Sequence, residues 1–433
     1  MSEWKETTLG NLINIKHGWA FKGEFFNETN QPQNIVVAIG NFNYSGGFRF
    51  DSTRTKEYLD SYPKEYELIP GDILLAMTCQ TAGGEILGIP GRIPTDNNTY
   101  LHNQRLGKVE IKDEEITDPS FIYWLCLWQN FNHHLVATAT GTKILHTAPE
   151  RIKSFVFECP PIDKQKQIGK TLDALDRKIS NLRQQNKTLE KIAQTLFKHW
   201  FVDFEFPNED GKPYKSSGGE MVRSELGEIP AGWRVLTLKE ICETIYRYPQ
   251  FYGMEKSDKG VPVIRGEHLL ANGKISNDFS DYWFVSDEFS KGFPRTILKK
   301  FDVVLSVRGS VGNYSWVGNQ HVGVQISPNT IRLSANSKIL HDYLLYPFLK
   351  GCNFKNRLLQ TVSSSAVPAI NASEFKTFDF VIPGLSLQKQ ISPLFRGIYQ
   401  KIDASEHQIQ TLTKTRDVLL PKLMSGKLRI TAS

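Results

Sequence analysis

Apolar residues recur along one stretch at Ile168, Leu172, Leu175, Ile179, Leu182, Leu189, Ala193, Leu196 and Trp200. The gaps alternate four and three, and Asn186 fills the single missing place. A seam of this kind requires one long helix packed on another, because a repeat near 3.5 residues keeps one face turned to a partner. Pro160 and Pro161 halt the preceding segment, since proline lacks an N–H and disfavours helix in the residue before it. At about 1.5 Å per residue, Ile168 to Trp200 measures roughly 50 Å. A rod of that length exceeds the needs of a single core and serves to hold two things apart.

The rod occurs twice. Pro383-Gly384-Leu385-Ser386-Leu387-Gln388-Lys389-Gln390-Ile391 answers Pro160-Pro161-Ile162-Asp163-Lys164-Gln165-Lys166-Gln167-Ile168 at an offset of 223. The seam then repeats as Ile391, Phe395, Ile398, Ile402, Ile409, Leu412, Leu419 and Leu423, with Ser405 and Arg416 as polar interruptions. A repeat this long is a duplicated domain-plus-helix, not a solenoid unit. The openings agree as well: Trp4, Thr8 and Leu9 match Trp233, Thr237 and Leu238. Short strands are expected in both halves, such as Asn34–Gly40 and Val261–Gly266, with Gly, Pro and Asn between them. Gly71-Asp72-Ile73-Leu74-Leu75-Ala76 corresponds to Phe301-Asp302-Val303-Val304-Leu305-Ser306, each an acidic turn before a buried strand.

After that strand the halves diverge, Met77–Gly84 against Val307–Tyr314. Similarity returns in Phe121–Phe131 against Leu344–Phe354, expected to be helical. It continues through Thr140-Gly141-Thr142 against Ser363-Ser364-Ser365. Between the halves, Pro207–Gly219 is polar and rich in Gly, Pro and Ser, which predicts an exposed linker. In a repeat, the shared frame is packing, and the divergent loops carry what distinguishes the copies.

The formal net charge of +6 is unevenly placed. Residues 163–200 carry nine Lys/Arg against four Asp/Glu, and residues 385–429 carry eight against three. The globular parts are therefore not broad basic surfaces, and nucleic-acid binding would rest on local loops. Cys79, Cys126, Cys159, Cys242 and Cys352 form no C-x-x-C pair, which suits a reducing cytoplasm and gives no thiolate metal site. The N-terminal residues show no signal-peptide pattern. The longest apolar run, Phe121–Trp128, is too short to span a bilayer.

No catalytic constellation is found. Cys159-Pro160-Pro161-Ile162 is close to the proline-proline loop of amino-methyltransferases, but lacks the amide or carboxylate that accepts from the target amine and the aromatic that stacks on the base. Gly309-x-x-Gly312 has neither a third glycine nor a Gly-Lys-[Ser/Thr]. His133 and His134 are adjacent, not at the i, i+4 spacing of a helical metal pair. Recognition remains. Arg308, Ser310, Asn313 and Tyr314 sit in one glycine-punctuated loop, where Arg reads guanine, Asn adenine, and Ser or Tyr binds phosphate. Arg265, Gln80, Arg105 and Lys143 are weaker candidates. Trp200, Phe201, Phe204 and Phe206 supply more apolar surface than a two-helix seam needs and are candidates for subunit docking.

LFKHWFVDFEFP (Leu196–Pro207), followed by SELGEIPAGW (Ser224–Trp233), closely resembles the central region of type I restriction–modification specificity (S) subunits. The paired Pro-x4-Gln-x-Gln-Ile helix starts, the Trp-x3-Thr-Leu openings and Asp302-Val-Val-Leu-Ser-Val-Arg-Gly-Ser-Val-Gly agree with it. The first half departs at Thr78–Gly84, where the Arg-Gly-Ser turn is missing. The resemblance implies an α+β chain of two similar mixed α/β target recognition domains, joined by two long antiparallel coiled-coil helices with pseudo-twofold symmetry. The expected partition is 1–158 and 224–382 for these domains, 159–206 and 383–433 for the helices, and 207–223 for a linker. It further implies a non-catalytic cytoplasmic subunit that reads a bipartite asymmetric site in double-stranded DNA. Two methyltransferase (M) subunits and restriction (R) subunits would be its partners, and they would hold the cofactors S-adenosylmethionine, ATP and magnesium. Two other readings stay open: a self-contained adenine DNA methyltransferase, and a coiled-coil scaffold that does not bind DNA.

Overall fold

The structure, a computed structural model, describes every residue except 1–3, 28–32, 51–54, 250–252, 363–369, 371 and 430–433. The aligned Ser363-Ser364-Ser365 therefore lies outside the described residues. Internal packing divides the chain into two compact units, Met1–Ile179 with Leu412–Ser433, and Ser180–Thr411. The long helices Ile162–Phe197 and Leu385–Met424 each contribute to both.

Each unit repeats one plan. In the first, an antiparallel sheet runs in the order Ile13–His17, Leu106–Ile111, Ile73–Ala76, Pro90–Arg92. In the second the order is Cys242–Arg247, Thr330–Ala335, Val303–Ser306, Tyr314–Trp316. A further sheet in each is built on one parallel pair, Asn34–Val37 with Thr99–His102, and Val261–Ile264 with Gln325–Ile326. The expected strands Asn34–Gly40 and Val261–Gly266 are thus present but end sooner, giving way to 3-10 turns at Ile39–Asn41 and Gly266–His268. The helical expectation holds in both copies, as Pro119–Leu127 with Gln129–Thr138, and Asp342–Gly351 with Phe354–Gln360.

The repeated Pro-x4-Gln has a physical purpose. Gln165 is buried; its Nε2 donates to Ile116 O (3.0 Å) and Pro160 O (2.9 Å), and its Oε1 accepts from the Asp118 N–H (3.0 Å). Gln388 does the same with Ile339 O (2.7 Å), Pro383 O (2.9 Å) and the His341 N–H (2.9 Å). One side chain satisfies a helix start and the entry to the next helix, groups that burial would otherwise leave unpaired. The acidic turns are equivalent too. Asp72 accepts from Ile69 N–H (2.9 Å) and pairs with Lys108 (2.7 Å), while Asp302 accepts from Lys299 N–H (2.7 Å) and pairs with Arg332 (2.6 Å). Gly71 precedes the first at φ +92°, and Phe301 precedes the second at φ +64°. A phenylalanine tolerates this left-handed conformation because its ring is held against Tyr343 (4.4 Å) and Trp316 (6.0 Å), contacts that offset a cost of about 1–2 kcal/mol.

Within the second unit the helix segments run antiparallel, with Asn186 donating to Glu406 (2.8 Å) and Trp200 meeting Phe395 (6.3 Å). In the first unit, Arg416 donates to Asp176 (2.7 Å). Two of the polar interruptions of the seam, Asn186 and Arg416, therefore make specific pairs, which fix register. The seam also ends differently from its heptad. Ala193, Phe197 and Phe201 are buried, whereas Leu196 and Trp200 are only partly so. The helix widens here into a π-turn at Lys198–Val202, which keeps Phe201 on Phe395 of the other helix (6.2 Å) and sets Phe197 and Phe201 against Phe348 (5.0 and 4.8 Å). Gly351 leaves the space that the Phe197 ring fills.

Pro207–Gly219 is not a free tether. Tyr214 stacks on Phe206 (4.5 Å), its N–H donates to Phe206 O (2.9 Å), and Asn208 O accepts from Gly211 N–H (2.9 Å). Composition alone missed this, because one aromatic residue among the turn formers is enough to fasten the segment.

Buried histidine gives the first unit an acid limit. His102 Nε2–H donates to Leu106 O (2.9 Å), and burial pushes its pKa down from 6.5 to about 4, with the charges of Lys108 and Lys16 adding to the effect. The folded chain refuses a proton that the unfolded chain accepts, so the contribution is full above about pH 6.5 and lost as pH falls towards 4. Burial lowers His268 and His321 in the second unit as well. His102→Gln keeps a donor without titrating there. Urea unfolding should then show wild-type stability falling more steeply than the variant's between pH 6.5 and 4; parallel curves would contradict this.

Candidate nucleic-acid interface

The divergent segments occupy equivalent places. In the first unit, the Met77 N–H donates to Arg105 O (3.1 Å) and Met77 O accepts from Thr147 N–H (3.0 Å). In the second, the Val307 N–H donates to Asn329 O (2.9 Å) and Val307 O accepts from Ile370 N–H (3.4 Å). Each segment leaves the end of its four-stranded sheet, flanked by a strand-connecting turn on one side and a later loop on the other.

At this end of the first unit, Thr78–Cys79 pairs antiparallel with Leu145–His146. The pairing sets Gln80 beside the loop Thr140–His146, which carries Lys143 and is closed by paired Thr140 and His146 backbones (2.8 and 3.0 Å). Arg151 braces the loop through Thr140 Oγ1 (3.2 Å). Gln80, Arg105 and Lys143 are all exposed, and none has a side-chain hydrogen bond or ion pair among the described residues. Gln80 and Arg105 also line a cavity of about 490 Å³, floored by Phe21, Ile39 and Phe42 and rimmed by Gln104. The structure thus sets Gln80 and Arg105 on one cavity, with Lys143 on the loop whose end pairs with Thr78–Cys79. Sequence reading passed over Gln104, although the polar run Asn103-Gln104-Arg105 between two strands was its signal.

The second-half candidates separate. Arg308 is exposed and Ser310 half-buried, on a turn shaped by Gly309 (φ +79°) and Gly312 (φ +77°). Asn313 and Tyr314 are engaged in supporting that turn. Asn313 Nδ2 donates to Leu269 O (2.9 Å) and its Oδ1 accepts from Lys355 (2.9 Å), which occupies the amide. Tyr314 packs on Phe354 (5.6 Å) and Tyr346 (5.9 Å), donates to Leu349 O (3.3 Å), and has its pKa raised by burial. Arg265 is likewise engaged: it lies over Trp283 (4.4 Å), pairs with Glu267 (2.5 Å) and donates to Asp281 O (2.7 Å).

The docking candidates pack to different degrees. Phe201 and Phe206 lie in the core of the second unit, and Trp200 and Phe204 pack partly against it. Exposed apolar surface in this region belongs to Val202 (47%) and Ile192 (43%), neither of them a seam position.

Among the described residues no group of His, Cys, Asp or Glu is arranged to hold a metal ion. Burial pushes the thiols of Cys159 and Cys352 up to about 11 and raises Cys126 and Cys242 further, the opposite of nucleophile activation. No described helix is long and apolar enough to cross a membrane.

Comparison with known proteins agrees with the repeated plan. The family described as "Type I restriction modification DNA specificity domain" matches residues 1–191 and 230–414. The MjaIX specificity subunit of Methanocaldococcus jannaschii is 27% identical over 348 residues, 78% of this chain and 76% of the relative. The EcoBI specificity subunit of Escherichia coli is 21% identical over 98% of this chain and 86% of its own length. In fold, the crystal structure of an S subunit from M. genitalium aligns with a TM-score of 0.63 at 17% identity, covering 99% of this chain and 97% of that one. The chain belongs to the type I restriction–modification DNA specificity family, whose members are the recognition and not the catalytic components of such systems.

Proposed function

We propose that each unit reads one half of a bipartite asymmetric site in double-stranded DNA, using the sheet end described above. The supporting observation is that both units keep exposed side chains without a partner among the described residues at that end: Gln80, Arg105 and Lys143 in the first, Arg308 in the second. Glutamine and arginine are side chains suited to adenine and guanine edges, and lysine and arginine to phosphate. On this reading residues 1–158 and 224–382 are the recognition domains. The helical parts, 159–206 and 383–433, dock two methyltransferase subunits, through which restriction subunits join. S-adenosylmethionine, ATP and magnesium belong to those partners. Val202 and Ile192, with the half-buried Trp200 and Phe204, are the docking residues we favour.

Sequencing methylated adenines in cells that express the chain with its methyltransferase partner should reveal one motif with two specified blocks and an unspecified gap. Val202→Asp with Ile192→Asp should abolish that methylation while the chain stays folded. A single contiguous motif would sink the two-unit reading, and undiminished methylation by the double variant would place docking elsewhere. Methylation by the chain alone would favour the self-contained methyltransferase.

A further inference from the structure

One arginine at the same sheet end of the second unit has no assigned purpose. Arg247 is the last residue of the strand Cys242–Arg247 and lies opposite Ile331. Leu305 lies opposite Ile331 from the other side, three residues before Arg308. Between the two arginines run Pro328 and Asn329. Arg247 Nε donates to Pro328 O (2.8 Å), and Val307 N–H donates to Asn329 O (2.9 Å). The Arg247 guanidinium and the backbone that leads into Arg308 therefore flank one short stretch of chain.

Neither arginine has a counter-charge among the described residues. Arg247 Nη2 is buried and without an acceptor there, and the exposed Arg308 side chain has no hydrogen bond or ion pair there either, its carbonyl alone accepting from Ser306 Oγ (2.9 Å). The other arginines of this unit that are not exposed are all engaged: Arg332 with Asp302, Arg265 with Glu267, and Arg357 with Asp379 O (3.1 Å) and the Phe378 ring. Burial lowers the Arg247 pKa and the charge of Arg308 lowers it further, as expected of two cations within reach of each other. The backbone N–H groups of Arg308, Gly309 and Ser310 also have no acceptor among the described residues. Two neighbouring cations and a run of open amides, with no carboxylate paired to either cation among the described residues, form a receptor for an anionic oxygen.

We propose that Arg247 and Arg308 together hold one backbone phosphate of the DNA at the second half-site, with the Arg308–Ser310 turn completing the grip. This rests on the function proposed above and deepens it. A phosphate suits the pair better than a base edge. A guanine edge is neutral and would leave two like charges uncompensated, whereas a phosphate carries the missing charge. Arg247, anchored through Nε, sets position; Arg308, on an exposed turn, closes on the ligand.

The full chain in its methyltransferase complex is titrated with a duplex carrying its methylation motif, over a range of salt. Arg247→Ala and Arg308→Ala should each weaken binding about tenfold or more. Each should lower the salt slope by about one, without changing the motif that is methylated. Because one phosphate is shared, the double variant should lose little more slope than either single one. A duplex neutralised by methylphosphonate at one position of the second half-site should bind the wild type as weakly as the variants, and the variants should ignore that substitution. Arg308 is exposed, so its variant should melt like wild type and keeps the test independent of folding. A changed base at the second half-site would overturn the proposal in favour of base reading, and unchanged affinity would overturn it outright. Failure of the wild type to bind any motif duplex would instead remove the function on which the proposal rests.

Discussion

Asp302→Ala is expected to cost the second unit about 3–5 kcal/mol, because it strands a buried guanidinium. Asp302 and Arg332 are 5% and 4% exposed in their side chains, and they meet at 2.6 Å. The same carboxylate accepts from Ser334 Oγ (2.6 Å) and Lys299 N–H (2.7 Å), while Arg332 Nη1 donates to Arg295 O (3.1 Å). Both carboxylate oxygens and two of the guanidinium nitrogens are hydrogen-bonded, so removing Asp302 orphans several groups at once. In a calorimetric scan the transition of the second unit should fall by roughly ten degrees, at about 2–4 °C per kcal/mol for a domain of this size. Arg332→Met added to Asp302→Ala should recover part of the loss, since no lone charge then stays buried. The equivalent Asp72→Ala in the first unit should cost clearly less, because Lys108 and Asp72 are 23% and 11% exposed and water can replace the lost partner. Equal losses in the two units would show that burial of the charge is not what decides the effect.

A second large effect concerns the gap in the DNA site. One heptad inserted after Ile179 and one after Thr411, where the two units divide, keeps each seam in phase and lengthens both helices by about 10 Å. The methylated motif should then keep both specified blocks while its unspecified gap grows, by at most about three base pairs at roughly 3.4 Å each. Sequencing of methylated adenines reads both quantities together. Altered blocks, or the original gap, would show that the helices do not set the spacing. A stretch inserted in only one helix should instead break the pairs Asn186–Glu406 or Asp176–Arg416 and reduce assembly, because register is carried by those polar contacts.

By itself the sequence determined the duplicated plan. The heptad seams, the paired Pro-x4-Gln starts and the acidic turns before buried strands are local patterns, and local patterns are what periodicity and turn chemistry expose. It also led to Gln80, Arg105, Lys143 and Arg308, since an exposed loop cation or amide needs no tertiary partner to be recognised. What only the tertiary structure decided is which polar residues remain free. Asn313 and Tyr314 differ little in sequence from base-reading residues, yet Lys355 and Leu269 occupy one and Phe354, Tyr346 and Leu349 the other. Those partners lie far along the chain, so no window around the loop reveals them. The same holds for Phe201 and Phe206, whose burial depends on Phe348, Trp233 and Tyr214. Arg247 is the converse case, a strand-end arginine that becomes noteworthy only because the fold sets Pro328 beside it and leaves its remaining donor without an acceptor. Periodicity reports which face of an element is apolar. Whether a polar group is satisfied depends on contacts between distant segments, and only the folded chain makes those.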